Sequence, residues 1–291
     1  MMYRSTLARL APVMVLAGAI GAGCGKVNGA VSDAGLDQPS NDDAAIDGPG
    51  DGAIAALGTK DNPAHTCAEL HVAGTPSGTA WLRGAASQAP AFQVYCEQTL
   101  SGGGWAMVEN SVRRDDGTTR TFWQFKYADR LSQLGTPAAD QNYYDGSLYL
   151  IGSEYMDVIT DLQDKTVVAI IATATGFDKD AMKFIWPVQT MGNAAIYESQ
   201  FASGWAAQDH DADPDANNCA VIYSNIAQHY NACWSYNLGS NAGKPPLDDG
   251  GVGPHVLNGV LDDLKLARQP GVGTGLGVGS QVKRIARFTR W

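Results

Sequence analysis

The sequence predicts an α+β domain carried behind an export signal and an acidic tether. Three observations predict it. Short apolar and β-branched runs recur from residue 79 to residue 288, with one stretch of helical character before them and one among them. Turn residues punctuate the runs, above all Gly102-Gly103-Gly104. Four cysteines fall into two local pairs, Cys67 with Cys96 and Cys219 with Cys233, and such pairs in an exported chain form disulfides.

The N-terminus carries the export signal. Arg4 and Arg9 precede an apolar run over residues 10–23, which is shorter than the roughly 20 residues of an ordinary membrane span. The run ends in Ile20-Gly21-Ala22-Gly23-Cys24, similar to the lipobox of bacterial lipoproteins, although Gly21 stands where Leu is usual. The expectation is a signal over 1–24 with Cys24 as the lipidated residue. Setting Cys24 apart also leaves an even number of cysteines. Residues 25–58 lack any aromatic side chain and are rich in Gly, Ala, Asp, Pro and Ser. Such a segment cannot bury enough apolar surface to offset ordering entropy, so it is expected to be a disordered tether.

The domain is expected over 59–291. Residues 67–73 are expected to start a helix capped by Thr66, with Glu69 three residues on. Strands are expected at 79–83 and 91–96, a tight turn at 102–104, and a strand at 105–109. Tyr155, Met156, Val158, Ile159 and Leu162 lie close to helical spacing, so 154–162 is expected to be a helix. The β-branched run 166–173 is expected to be a central strand, with further strands at 181–186 and 194–200. Residues 201–280 are expected to be rich in loops, and 281–288 to close the domain as an alternating strand. A loop-rich stretch of that length is where function concentrates.

Composition narrows the function classes. The net charge is −10, and six of those charges lie between Lys26 and Lys60, on Asp33, Asp37, Asp42, Asp43, Asp47 and Asp51. No basic stripe exists, so nucleic acid is not an expected partner. The chain carries no HExxH, no GxSxG and no phosphate loop after a strand, so no enzyme is expected. The glycine-rich segment 271–279 follows no strand and precedes no helix, as a flexible loop would.

The chemistry concentrates before Cys219. Asp209, Asp211, Asp213 and Asp215 alternate on an irregular segment, the pattern that points several carboxylates at one calcium ion. It is not an EF-hand. Counting from Asp209, the sixth position is Pro214 rather than Gly, and the twelfth is Ala220 rather than Glu. A solvated acidic turn is the competing reading. Tyr223, His229, Tyr230, Trp234 and Tyr236 lie inside and after the 219–233 loop. Aromatic rings beside a cation suit a sugar or acetyl pocket, and equally suit a core.

Taken in order, these features resemble the fibrinogen C-terminal domain, the family of the ficolins and tachylectins and, more distantly, the intelectins. The resemblance rests on Tyr95-Cys96 with Gly102-Gly103-Gly104-Trp105, on Leu148-Tyr149-Leu150-Ile151-Gly152 after Trp123, on Asp211-x-Asp213 before Asn218-Cys219, and on Cys233 before Tyr236-Asn237-Leu238-Gly239. It covers 64–291, and Glu97, Gln98 and Ala106 depart from the usual start.

The resemblance implies a central twisted, mainly antiparallel sheet, few short helices and a C-terminal calcium and ligand subdomain. It implies calcium on the carboxylates of Asp211 and Asp213 and the carbonyls of Asp215 and Asn217. It implies a ligand pocket at His229, Tyr230, Cys233, Trp234 and Tyr236. The function so implied is calcium-dependent, lectin-like binding of carbohydrate or acetylated groups. The alternative is an adhesion protein that uses the fold to bind another protein. The chain is expected to be exported and lipid-anchored at a bacterial outer membrane or cell surface, touching the membrane through the anchor only. Secretion, a periplasmic location and a homo-oligomer stay open.

Overall fold

A computed structural model of the chain describes residues 55–84, 89–185, 187–192, 195–239, 253–270 and 279–291. The chain divides into two units, Met1–Asp51 and Gly52–Trp291, and every described residue belongs to the second. The expected export signal, Cys24, most of the expected tether and the glycine-rich segment 271–278 lie outside the described residues.

The first helix, α1 (Cys67–Val72), begins as its sequence requires. The Thr66 hydroxyl accepts the Glu69 N–H at 3.0 Å, and the Glu69 carboxylate reaches back to the His65 N–H at 2.6 Å. Strands β1 (Gly78–Leu82), β2 (Phe92–Glu97) and β3 (Trp105–Val112) follow as an antiparallel meander. The outer edge of β1 is covered by the preceding chain. Trp81 donates to the Gly58 carbonyl at 2.8 Å, and Ala64 donates to Trp81 at 3.0 Å, so little ladder is left open to a stray strand. The Gly102-Gly103-Gly104 turn has φ of 83°, 69° and 77°, which side chains rarely adopt. A Cβ on Gly104 would meet the Ala68 Cα at 2.9 Å, so the missing side chain lets α1 close onto the sheet. The Cys67–Cys96 disulfide, Cα atoms 5.4 Å apart, fastens α1 to β2 as expected.

Helix α2 (Thr118–Trp123) leads to β4 (Gln133–Gly135) and β5 (Tyr143–Asp145), which pair with each other and hang on β3. Then come β6 (Glu154–Thr160), β7 (Thr166–Thr173), the hairpin β8 (Gly176–Asp178) with β9 (Lys183–Ile185), and β10 (Val188–Gly192). Helix α3 (Ala195–Phe201) precedes β11 (Trp205–Ala207), β12 (His210–Asp211), α4 (Cys219–Ile222), β13 (Gln228–His229), β14 (Tyr236–Asn237), β15 (His255–Leu257), α5 (Asn258–Asp263), β16 (Gly279–Gln281) and β17 (Arg284–Arg290). The main sheet runs β1-β2-β3-β17-β6-β7-β10, antiparallel at every pairing. Two three-stranded sheets, β12-β11-β13 and β14-β15-β16, organise the region that looked like loop in the sequence.

Three expectations are corrected. Residues 154–160 form a strand, not a helix, because β6 lies between β17 and β7 with Tyr155–Thr160 all buried. Burial on both faces erases the period of two, and β-branched Val158, Ile159 and Thr160 favour the extended chain. Residues 195–201 form a helix, not a strand. Tyr197, Gln200 and Phe201 are buried while Ser199 is exposed, which is helical spacing on one face. The 166–173 strand is present but lies second from the edge, and the C-terminal β17 holds the centre.

Candidate functional site

The acidic loop is presented by two neighbouring elements. Strand β11 pairs with β12 on one side and β13 on the other, placing Ala207 opposite His210 and Trp205 opposite His229. Gly204, just before β11, allows close approach, since a Cβ there would lie 1.8 Å from the Ala212 carbonyl oxygen. Asn218 closes the loop. Its amide donates to the carbonyls of Ala207 (2.9 Å) and His210 (3.2 Å), and its Oδ1 caps α4 by accepting the Val221 N–H at 3.2 Å.

Within the loop the aspartates order the backbone. Asp213 accepts the Asp215 N–H at 3.0 Å and the Cys219 N–H at 3.1 Å, and Asp215 accepts the Asn217 N–H at 3.0 Å. Burial pushes the Asp213 carboxyl up, the two N–H groups pull it down, and negative Asp211 within hydrogen-bonding reach pushes it up again, with a net rise. The two acids thus act on each other, and neighbouring hard carboxylates are the donor chemistry a calcium ion takes. Asp211 and Asn217 are exposed, and Asp213 and Asp215 half-buried. The Asp215 carboxylate also lies within 4.8 Å of the Cys219 and Cys233 sulfurs. Those sulfurs are bonded to each other and offer no thiolate, so that trio is no metal site.

The Cys219–Cys233 disulfide forms as expected, Cα atoms 5.4 Å apart. Beside it Trp234 packs edge-on to Tyr223, ring centroids 6.1 Å apart, and lies against Gly279 of β16. Val221 and Ile222 of α4 are exposed at 53% and 46%. The other residues assigned to the pocket turn inward. Tyr230 is fully buried and donates to the Ile226 carbonyl at 2.8 Å, and His229 and Tyr236 are buried below it. Among the described residues, the partly exposed aromatic rings beside the loop are Trp234 with Tyr223 at the disulfide and Tyr127 at β12. His210 and His229 lie on opposite flanks of β11, and His210 stacks on Tyr127.

What His229 and Tyr236 contact is a buried ionic network that no local sequence motif marks. Arg287 of β17 is wholly buried. It donates to both oxygens of Asp157 at 2.7 Å, to Tyr149 and Tyr236 hydroxyls at 2.9 Å, and to His229 Nδ1 at 3.0 Å. Glu109 lies 3.5 Å from the same guanidinium and accepts from Tyr149 at 3.2 Å. Because the guanidinium only donates, His229 accepts at Nδ1 and is neutral, with its proton on Nε2. Burial and then Arg287 depress its pKa well below the usual range. Burial opposes the Arg287 charge, but Asp157 and Glu109 outweigh it and hold it firmly cationic. One guanidinium cannot neutralise two carboxylates. Burial, helped by Asp157 and opposed by Arg287, pushes Glu109 up to about 7. The available signal was a charged residue in the alternating strand 281–288 and an aspartate inside the apolar run 155–159.

Two buried glutamines tie this network to the loop region. Gln200 donates to the His229 carbonyl at 2.7 Å and the Tyr236 carbonyl at 2.8 Å. Gln228 donates to Tyr236 at 2.9 Å and accepts the Leu238 N–H at 2.7 Å. The sheet core and the chain on both sides of Trp234 are thus one hydrogen-bonded body.

No family model and no curated protein matches the sequence. Among solved structures, the chain is similar to the fibrinogen-like globe domain of human ANGPTL6, with 21% identity and a TM-score of 0.51. The match covers 79% of this chain and 96% of that one. The fibrinogen-like α+β fold expected from the sequence motifs is therefore the fold observed.

Proposed function

We propose that this chain is an exported recognition module in which calcium, held by the 211–217 loop, supports a binding surface for carbohydrate or acetylated groups. The observation that carries the reading is the mutual influence of the Asp211 and Asp213 carboxylates on a loop that runs into the Cys219–Cys233 disulfide, with Trp234 and Tyr223 beside that bridge. Asp211 and Asp213 would supply carboxylates, and Asp215 and Asn217 backbone carbonyls. The ion would relieve the repulsion between the two acids and stiffen the loop. Trp234 offers an indole face and N–H, the pairing that holds a sugar ring's C–H face and one hydroxyl.

A protein partner is the second reading, favoured by exposed Val221 and Ile222 next to the same loop. An array of glycans and N-acetylated compounds, probed with calcium and with EDTA, separates the two. Binding that EDTA removes and free sugar competes supports the lectin. A silent array with calcium present overturns it in favour of the protein partner.

The module is proposed to be held at a bacterial membrane surface by a lipid on Cys24, through the acidic 25–58 tether. Cys24→Ser should move the protein from the membrane fraction to the soluble fraction and abolish palmitate labelling. Unchanged membrane retention counts against the anchor.

A further inference from the structure

A cavity of about 350 Å³ lies away from the acidic loop and shares no residue with it. Its walls are mostly hydrocarbon, from Pro90 and Phe92 beside and on β2, and from Leu148, Leu150 and Ile151 in and after the 3-10 turn Gly146–Leu150. The charged group in this lining is Asp145, the last residue of β5, and Asp145 is only 3% exposed. No Arg or Lys among the described residues forms an ion pair with it.

The carboxylate is only partly satisfied. Oδ1 caps the turn, accepting the Ser147 N–H at 3.1 Å and the Ser147 hydroxyl at 2.6 Å. Oδ2 has a single long bond, from the Tyr143 hydroxyl at 3.5 Å. Gln133, also in the lining, spends its amide N–H groups on the Gln93 carbonyl and the Tyr143 hydroxyl, leaving its carbonyl oxygen as an acceptor. Burying a carboxylate without a countercharge is costly, and burial indeed raises the Asp145 pKa. A cation with an apolar body would reverse that cost while filling the hydrocarbon walls.

We infer that this cavity binds an organic ammonium, an alkyl or aralkyl amine or the amino terminus of an apolar peptide, with its charge on Asp145 and Gln133 and its hydrocarbon against Phe92, Leu148 and Ile151. An anion is rejected by Asp145, and a neutral alcohol gains the walls but not the charge. The site is independent of calcium and of the surface around Trp234.

The test uses the full chain with labelled Ile and Leu methyl groups, titrated at neutral pH with n-hexylammonium, hexan-1-ol and hexanoate. Hexylammonium should shift the Leu148 and Ile151 methyl signals saturably and bind about tenfold or more tighter than hexan-1-ol, the margin of a charge-assisted hydrogen bond. Hexanoate should leave these signals unmoved. Asp145→Asn keeps an oxygen for Ser147 and should lower hexylammonium affinity to that of hexan-1-ol. Leu150→Lys is a second variant that does not disturb the core, because Leu150 is 47% exposed. It sets a tethered ammonium at the mouth and should weaken hexylammonium several-fold. Equal affinity for amine and alcohol, the absence of saturable shifts, or wild-type affinity in the folded variants overturns the inference.

Discussion

Arg287 and Asp157, 130 residues apart in sequence, form a two-pronged ion pair at 2.7 Å and 2.7 Å in the middle of the sheet, both wholly buried. The pair joins neighbouring strands β17 and β6 at a matched register position. Its outer hydrogen bonds to His229 and Tyr236 reach β13 and β14 of the loop region, and the one to Tyr149 reaches the 3-10 turn Gly146–Leu150. Phe201 covers the guanidinium at 4.6 Å from its ring centroid, which adds a cation–π contact.

Removing one member of this pair leaves the other charge buried. Arg287→Met or Asp157→Asn should therefore destabilise the fold by about 3–5 kcal/mol. Arg287→Lys should also lose several kcal/mol, since a lysine cannot reproduce the two-pronged geometry. Urea unfolding followed by tryptophan fluorescence reads these losses. Variants as stable as wild type would show that the pair contributes nothing.

Glu109 should make stability fall as pH rises through the weakly acidic range. Its folded pKa, about 7, lies above the ordinary 4.5, so the native state binds the extra proton between those values. The contribution is complete below about pH 4.5 and lost as pH passes about 7, on the order of 3 kcal/mol. Glu109→Gln should flatten the stability–pH profile between pH 4.5 and 7. Parallel profiles for the variant and wild type would show that Glu109 titrates normally.

Calcium should raise the melting temperature, and EDTA should lower it. A ligand specific to the folded state at a hundredfold excess over its Kd stabilises by about 2.7 kcal/mol. Asp211→Ala with Asp213→Ala should erase the calcium dependence and leave the folded core, because Asp211 is exposed and Asp213 half-buried. Identical melting of wild type in calcium and EDTA would reduce the loop to a solvated turn.

The Cys219–Cys233 bond closes a fifteen-residue loop, worth about 3 kcal/mol in the chain-entropy model. Changing both cysteines to serine should lower stability by about that amount. It should also weaken calcium binding, because the Asp213 carboxylate is anchored to the Cys219 N–H. Calorimetric titration of calcium into the folded double variant measures the second effect, and wild-type affinity would uncouple bridge from loop.

Local chemistry alone determined much of this protein. Both disulfides, the Thr66 cap, the glycine turn before Trp105, the strands of the N-terminal meander and the closing strand were legible, because each depends on a few neighbouring residues. The same holds for the clustering of carboxylates before Cys219. The tertiary structure decided the rest. Tyr155–Thr160 reads as a helix in isolation and is a strand because β17 and β7 cover both of its faces. The tilt of His229 and Tyr236 away from the surface is set by a buried guanidinium more than fifty residues downstream. The burial of Asp145 in a mostly apolar lining comes from β2 folding against the turn after β5, which brings Phe92 beside Leu148 and Ile151. For β6, His229 and Tyr236 the deciding term is burial among partners distant in the chain, which no local pattern encodes.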